Sequence, residues 1–205
     1  MGILYSRSIS VLKARGEYIM NLDHDDFIFD DDLFNTIYKS AKKSNVDITS
    51  FMYNESYEYN CTANELYISD CLRIPHHHII LQPQLSIFPW FKGDNIFYGD
   101  YTIWAKLYKS NLYKKSINIL SYKRYSVFMT FSEDLVGLFV ICNVAESYQR
   151  IRKVGVYHRV YNVSTSHSIS TEKGYFYDIF FSEIILDLEK KQYKILLCYI
   201  SRKYN

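Results

Sequence analysis

An apolar run, Tyr18-Ile19-Met20-Asn21-Leu22, stops abruptly at Asp23-His24-Asp25-Asp26, where three of four residues are carboxylates. The run reads as a buried strand, and a strand end is a rigid place from which to present side chains. In α/β sheets, ligands gather beyond the carboxyl ends of the strands. Three aspartates crowded at such an end repel one another unless a cation sits between them. A hard divalent ion suits oxygen ligands, and Mg²⁺-type sites use one or two carboxylates plus substrate phosphates. The plainer alternative is a solvated turn that caps the next helix.

The flanks of this motif alternate between helical and extended patterns. Leu4 to Arg15 predicts a short helix with Leu4, Val11 and Leu12 on one face, ended by Gly16. Glu17 to Leu22 predicts a strand. Asp30, Asp31 and Asp32 supply an N-cap and negative charge for a helix over Leu33–Ser44, whose apolar positions Leu33, Phe34, Ile37, Tyr38 and Ala41 recur at helical spacing. Val46 to Tyr53 predicts a second strand. Helix and strand alternating across short connections mark an α/β layer. From Asn54 to Gly99 the pattern weakens into an irregular or β-rich excursion that holds all three prolines, His76-His77-His78 and the aromatics Phe88, Trp90 and Phe91. Thr102–Tyr108 predicts a strand, Ser110–Lys115 a short helix, and Leu135–Cys142 an apolar helix preceded by Ser132-Glu133-Asp134. Ile151–Tyr157 predicts a final strand, and Tyr175 onward a long C-terminal helical pattern.

A chain of 205 residues, 48% of them hydrophobic, is ample for one core. The net charge of only +2 argues against a nucleic-acid footprint, which needs clustered positive charge. The basic runs Lys106–Lys109 and Arg150–Lys153 read as solvated faces. The four cysteines lack metal or redox spacing and fit small apolar residues in a reduced compartment. No apolar run approaches the ~20 residues needed to span a bilayer. The expectation is a cytoplasmic protein without a transmembrane segment.

Three segments, in this order, carry a resemblance. The first runs from Gly2 to Asp26, with Arg7, Ala14, Gly16, Glu17, Tyr18 and the aspartate cluster at characteristic spacing. The second is Trp104-Ala105-Lys106-Leu107-Tyr108, and the third Glu133-Asp134-Leu135. Together they resemble the later part of the catalytic domain of family 2 glycosyltransferases, inverting enzymes of the GT-A fold. The likeness spans roughly residues 2 to 160. It implies an α/β fold: a partial, Rossmann-like GT-A sheet that binds a nucleotide-sugar and is flanked by helices. Residues 1–160 would form this partial domain and residues 161–205 a C-terminal helical extension.

The resemblance also implies a nucleotide-sugar donor, a UDP-sugar foremost, a glycan or other hydroxyl acceptor, and Mn²⁺ or Mg²⁺ at a DXD-type motif. Carried over, Asp25 would be the main metal ligand and Asp23 would lie near the ribose or the metal. Asp26 would support the donor site, and Arg7 would reach the nucleotide. Inversion needs a carboxylate to take the acceptor proton, a role that falls to Asp134 with Glu133 second. The alternative for this pair is a helix cap acting through the dipole. Tyr157-His158-Arg159, after the last strand, would by the resemblance close over the diphosphate, with a plain surface loop as the favoured alternative. Trp104 reads as core and the three histidines as loop, because adjacent residues of an extended segment point to opposite sides.

Ser8 stands where the family usually has asparagine and Ser10 where it has glycine. The larger departure is that the strands preceding the Arg7 helix in the family are not in this sequence, which reads as N-terminally truncated. The expectation is an exposed strand edge, explained by a misplaced start, a partner chain that completes the sheet, or a decaying gene. Two functions follow: an inverting, metal-assisted glycosyltransferase, or an inactive remnant or subunit that serves as a binding module. Another metal-dependent nucleotide enzyme is disfavoured because no Gly-rich phosphate loop is present.

Overall fold

The computed structural model describes residues 2–57, 67–68, 79–81, 90–92, 95–97, 102–120, 133–160 and 186. Along the chain these form α1 (Ile3–Lys13), β1 (Tyr18–Met20), β2 (Phe27–Ile28), α2 (Leu33–Ser44) and β3 (Ile48–Tyr57). Short strands β4 (Tyr67–Ile68), β5 (Ile79–Leu81), β6 (Trp90–Lys92) and β7 (Asn95–Phe97) follow. Then come β8 (Lys106–Lys109), α3 (Ser110–Ile119), α4 (Glu133–Val144) and β9 (Ser147–Val160). The main sheet has the order β1-β8-β3-β9-β2, with β4 added to β3 and β5 to β9, while β6 and β7 form a separate ribbon. Its spine is the parallel pair β3 and β9, in register from Ile48↔Tyr148 to Tyr57↔Val160 with two irregularities; the other pairings of the main sheet are antiparallel.

The central strand shows why the fold has three layers. Ile48, Thr49, Ser50, Phe51 and Met52 are all buried, as expected for a strand covered on both faces. On one face Ile48, Tyr108 and Tyr148 pack with Val11 of α1, Leu112 and Ile117 of α3, and Leu138 and Ile141 of α4. On the other, Phe51, Leu107, Ile151 and Val156 pack with Leu33, Ile37 and Ala41 of α2. Leu33 and Ile37 are fully buried, and each contributes about 1.5–3 kcal/mol of hydrophobic stabilisation. The α2 pattern is therefore confirmed at three of five apolar positions, while Phe34 and Tyr38 stand exposed.

The ends of α2 follow its sequence. The Asp32 carboxylate accepts from Thr36 Oγ1 at 2.7 Å and from Asn35 Nδ2 at 2.9 Å, bonds that hold its pKa below the ordinary value. Asn45 closes the helix in the left-handed region (φ 52°), donating its N–H to Ala41 O at 2.8 Å.

Gly155 lets β9 lie against α2. A Cβ there would sit 2.4 Å from Leu33 Cδ1 and 2.8 Å from Leu33 Cγ, and Leu33 is fully buried. Gly155→Val is expected to lower stability by about 1–3 kcal/mol through overpacking, measured as the shift in urea midpoint. An unchanged midpoint would mean that α2 is not seated on β9 in this way.

Several expectations are corrected. The strand predicted over Thr102–Tyr108 begins only at Lys106, because Ile103–Ala105 form a bend. Ala105 has φ 53° and its carbonyl accepts the Phe51 N–H at 3.1 Å, so the ladder restarts beyond it. The final strand runs Ser147–Val160, longer at both ends than expected, and it contains Tyr157-His158-Arg159 rather than releasing them into a loop. The basic runs are not solvated faces throughout: Lys106 and Arg150 are buried. Lys106 Nζ donates to Thr102 Oγ1 at 3.1 Å, and Lys109 pairs with Asp47 at 3.1 Å. Cys142 is a buried free thiol, as its sequence context suggests.

Trp90 and Phe91 lie in β6. Phe88, the three histidines and, apart from helical residue 186, the C-terminal extension lie outside the described residues. Among the described residues, no helix is long and apolar enough to cross a membrane.

Candidate functional site

Four of the residues singled out in the sequence converge beyond the end of β1. Arg7 projects from α1, Asp23 follows β1, and Glu133 and Asp134 open α4. The Arg7 guanidinium donates through Nη2 to Asp23 Oδ1 at 2.9 Å and through Nη1 to Asp134 Oδ1. Glu133 Oε1 lies 4.0 Å from Nη1. The second oxygen of Asp134 accepts the Ile103 N–H at 3.4 Å. Asn21 Nδ2 reaches the Ile103 carbonyl at 3.4 Å and the Tyr113 hydroxyl at 3.0 Å, joining the β1 end to the 103–105 bend and α3.

Among the described residues, one cation, Arg7, thus serves three carboxylates, and the electrostatics reflect that shortage. Burial raises the pKa of Asp23, with Asp134 and Asp26 adding to the rise and Arg7 opposing it. Burial, then the neighbouring Asp134, raises that of Glu133. Burial alone would lower Arg7, yet Asp134, Asp23, Tyr113 and Glu133 together hold it above its ordinary value. Burial also raises the Tyr113 phenol.

Asp26 belongs to a different environment. Its side chain is wholly buried, and Oδ1 pairs with His158 Nδ1 at 3.0 Å and accepts the Arg159 N–H at 3.2 Å. Its Oδ2 is buried without a hydrogen-bond partner. The His158 ring stacks on Trp104 (centroids 4.5 Å apart, 24° between planes), and Tyr53 meets Trp104 edge-on at 4.3 Å. Trp104 is therefore core, as expected, and it also braces His158. The Tyr157-His158-Arg159 triplet, expected after the last strand, lies within it, and His158 faces Asp26.

The crowded aspartates therefore relieve their repulsion through separate partners. Asp23 turns to Arg7 and Asp26 to His158, while Asp25, one-third exposed, has His24 at 3.8 Å. Among the described residues, no three histidine, cysteine or carboxylate side chains converge on a metal position. A Mg²⁺- or Mn²⁺-type ion needs only one or two protein carboxylates when phosphates complete its shell. The hard oxygens of Asp25 and Asp23 fit that requirement.

No protein-family model matches this chain, and no curated protein sequence matches it. Solved structures do. The crystal structure of S. aureus TarS 1–349 in complex with UDP-GlcNAc is similar at a TM-score of 0.55 and 12% identity over 89% of this chain. The crystal structure of TarS 1–349 matches at 0.54 and 14% identity over 91%. In both cases the match takes up 45% of the TarS chain, so this chain spans about half the length of the proteins it resembles. At such identities the likeness shows the fold alone: a mixed α/β, partial Rossmann-like arrangement.

Proposed function

We propose that the chain is the later part of a family 2 glycosyltransferase that transfers a sugar from a UDP-linked donor to a hydroxyl acceptor with inversion. The observation that carries this reading is the convergence of Arg7, Asp23, Glu133 and Asp134 at one strand end, in a fold shared with a structure that holds UDP-GlcNAc. Asp25, with Asp23, would hold Mn²⁺ or Mg²⁺. A metal bound there supplies Lewis-acid stabilisation of the departing diphosphate. Arg7 holds Asp23 in place through its Nη2, and Asp26 fixes the turn by tying it to β9 through His158. A carboxylate at the start of α4 takes the acceptor proton as the acceptor oxygen attacks the anomeric carbon.

The test is UDP release from UDP-GlcNAc. The full chain is expected to release UDP with Mn²⁺ present and to stop when EDTA removes it. A folded protein that neither binds the donor nor releases UDP would overturn the reading.

A second reading, a binding subunit completed by a partner chain, is favoured by the edge of the sheet. Among the described residues, β1 is a terminal strand of the main sheet. Beside it lies a groove of about 850 Å³, lined by Tyr18, Met20, Leu22, Ile28, Phe34 and Tyr38 among others. An edge strand beside apolar surface is a template for another strand. In that reading the isolated chain releases no UDP, and turnover returns only in a complex.

A further inference from the structure

The face of the sheet opposite α2 carries a strip of aromatic side chains at its β2 end. Ile28 and Val156 turn toward α2 and its core, and neighbouring residues of a strand point the other way. Phe27 and Tyr157, opposite one another across β2 and β9, therefore share the far face. Their rings stack with centroids 5.1 Å apart and 7° between planes. Phe29 meets Tyr157 edge-on at 5.7 Å, and the Arg159 guanidinium carbon lies 5.3 Å from the centre of the Phe27 ring. Phe27 is 40% exposed and Phe29 44%, and Arg159 is exposed as well. Adjoining apolar side chains left open to solvent mark an interaction surface.

The surroundings of the strip say what it takes. β2 has only two residues, and so short an edge is a poor template for a strand of another chain. The rings are bounded by polar groups, the Tyr157 hydroxyl and the fork of N–H donors on Arg159. That combination suits a ligand with an apolar face and a hydroxylated rim, which is the chemistry of a pyranose. Its C–H bonds meet the electron-rich surface of aromatic rings, and its hydroxyl oxygens accept from a guanidinium. The strip also adjoins the proposed donor turn: Phe27 directly follows Asp26, and the Arg159 N–H donates to Asp26 Oδ1 at 3.2 Å. An acceptor has to lie beside the donor, and a ring held here would do so. Resting on the transferase reading above, we infer that Phe27, Phe29, Tyr157 and Arg159 form the acceptor subsite and bind a pyranose ring of a glycan.

The subsite is tested by saturation-transfer difference NMR on the full chain, with chitotetraose, cellotetraose and maltotetraose as probes and neither donor nor metal added. Saturable binding of at least one probe is expected. Phe27→Ala should weaken it by ~10-fold, the scale of one aromatic contact, and Phe27→Tyr, which keeps the ring, should retain it. Phe34→Ala, which removes an exposed aromatic from α2 on the other side of the sheet, should leave it unchanged. A folded chain that binds none of the probes, or equal losses in Phe27→Ala and Phe34→Ala, would overturn the subsite, and UDP release by that chain would leave the transferase reading standing. Probe binding through Phe27 in a chain that neither binds UDP-GlcNAc nor releases UDP would instead overturn the transferase reading, and the acceptor role with it.

Discussion

Arg7→Ala is expected to cost about 3 kcal/mol of stability at neutral pH, the lower end of the range for removing one partner from a buried ion pair. The Arg7 side chain is only 11% exposed, and it is the guanidinium set among Asp23, Glu133 and Asp134. Without it, three carboxylates share a partly buried space with no cation between them.

The pH dependence has a definite sign. Asp23 and Glu133 already have folded pKa values above their ordinary ones. A carboxylate raised in the folded state contributes stability that is fully present below its unfolded pKa and is lost as pH rises through the folded value. Arg7 opposes that rise at both groups, so its removal pushes both pKa values higher and enlarges the loss. The gap between wild type and Arg7→Ala should therefore be wide above the carboxylate range and narrow as pH falls to about 4, near the ordinary carboxylate pKa values. Urea unfolding at the two pH values measures it. A gap that is absent, or equal at both, would mean that the cluster does not carry this electrostatic load.

Asp25→Asn is expected to leave the fold intact and abolish the metal dependence of donor binding. Asp25 is one-third exposed and, among the described residues, has a single long contact, to His24 at 3.8 Å, so its replacement should change stability by less than ~0.5 kcal/mol. Loss of a direct metal ligand should weaken metal-supported donor affinity by ~100-fold or more, beyond the 10–100-fold typical of outer hydrogen-bond partners. Asp26→Asn provides the contrast. Asp26 is wholly buried against His158 and the Arg159 N–H, so that substitution should act on stability first. Equal effects of the two on donor affinity, with both proteins equally stable, would contradict the separate roles assigned to these neighbours.

The convergence of Arg7, Asp23, Glu133 and Asp134 was legible in the sequence because each lies in a segment of distinctive spacing and together they form the resemblance. The parting of the three aspartates was not. The partners of Asp26 lie 132 and 133 residues away, on a strand whose end looked like a loop, and local pattern carries no signal for pairing at that range. β2 escaped notice for the same reason: Phe27 and Ile28 are a strand only because Tyr157 and Val156 lie opposite them.

Lys106 and Arg150 read as solvated because charge normally is, whereas both are buried. Phe34 and Tyr38 fit the apolar face of α2 by spacing, yet they line the open groove beside β1. Sequence spacing places them on the right side of the helix, and the exposed strand edge expected from the resemblance is, among the described residues, β1, beside which the groove opens.

The most direct measurement is calorimetric titration of the full chain with UDP-GlcNAc, with Mn²⁺ and with EDTA. Saturable binding at one site per chain, strengthened by Mn²⁺ and losing that response in Asp25→Asn, is the result expected of a donor site built on this strand end. A chain shown to be folded that gives no binding heat in either condition would contradict it.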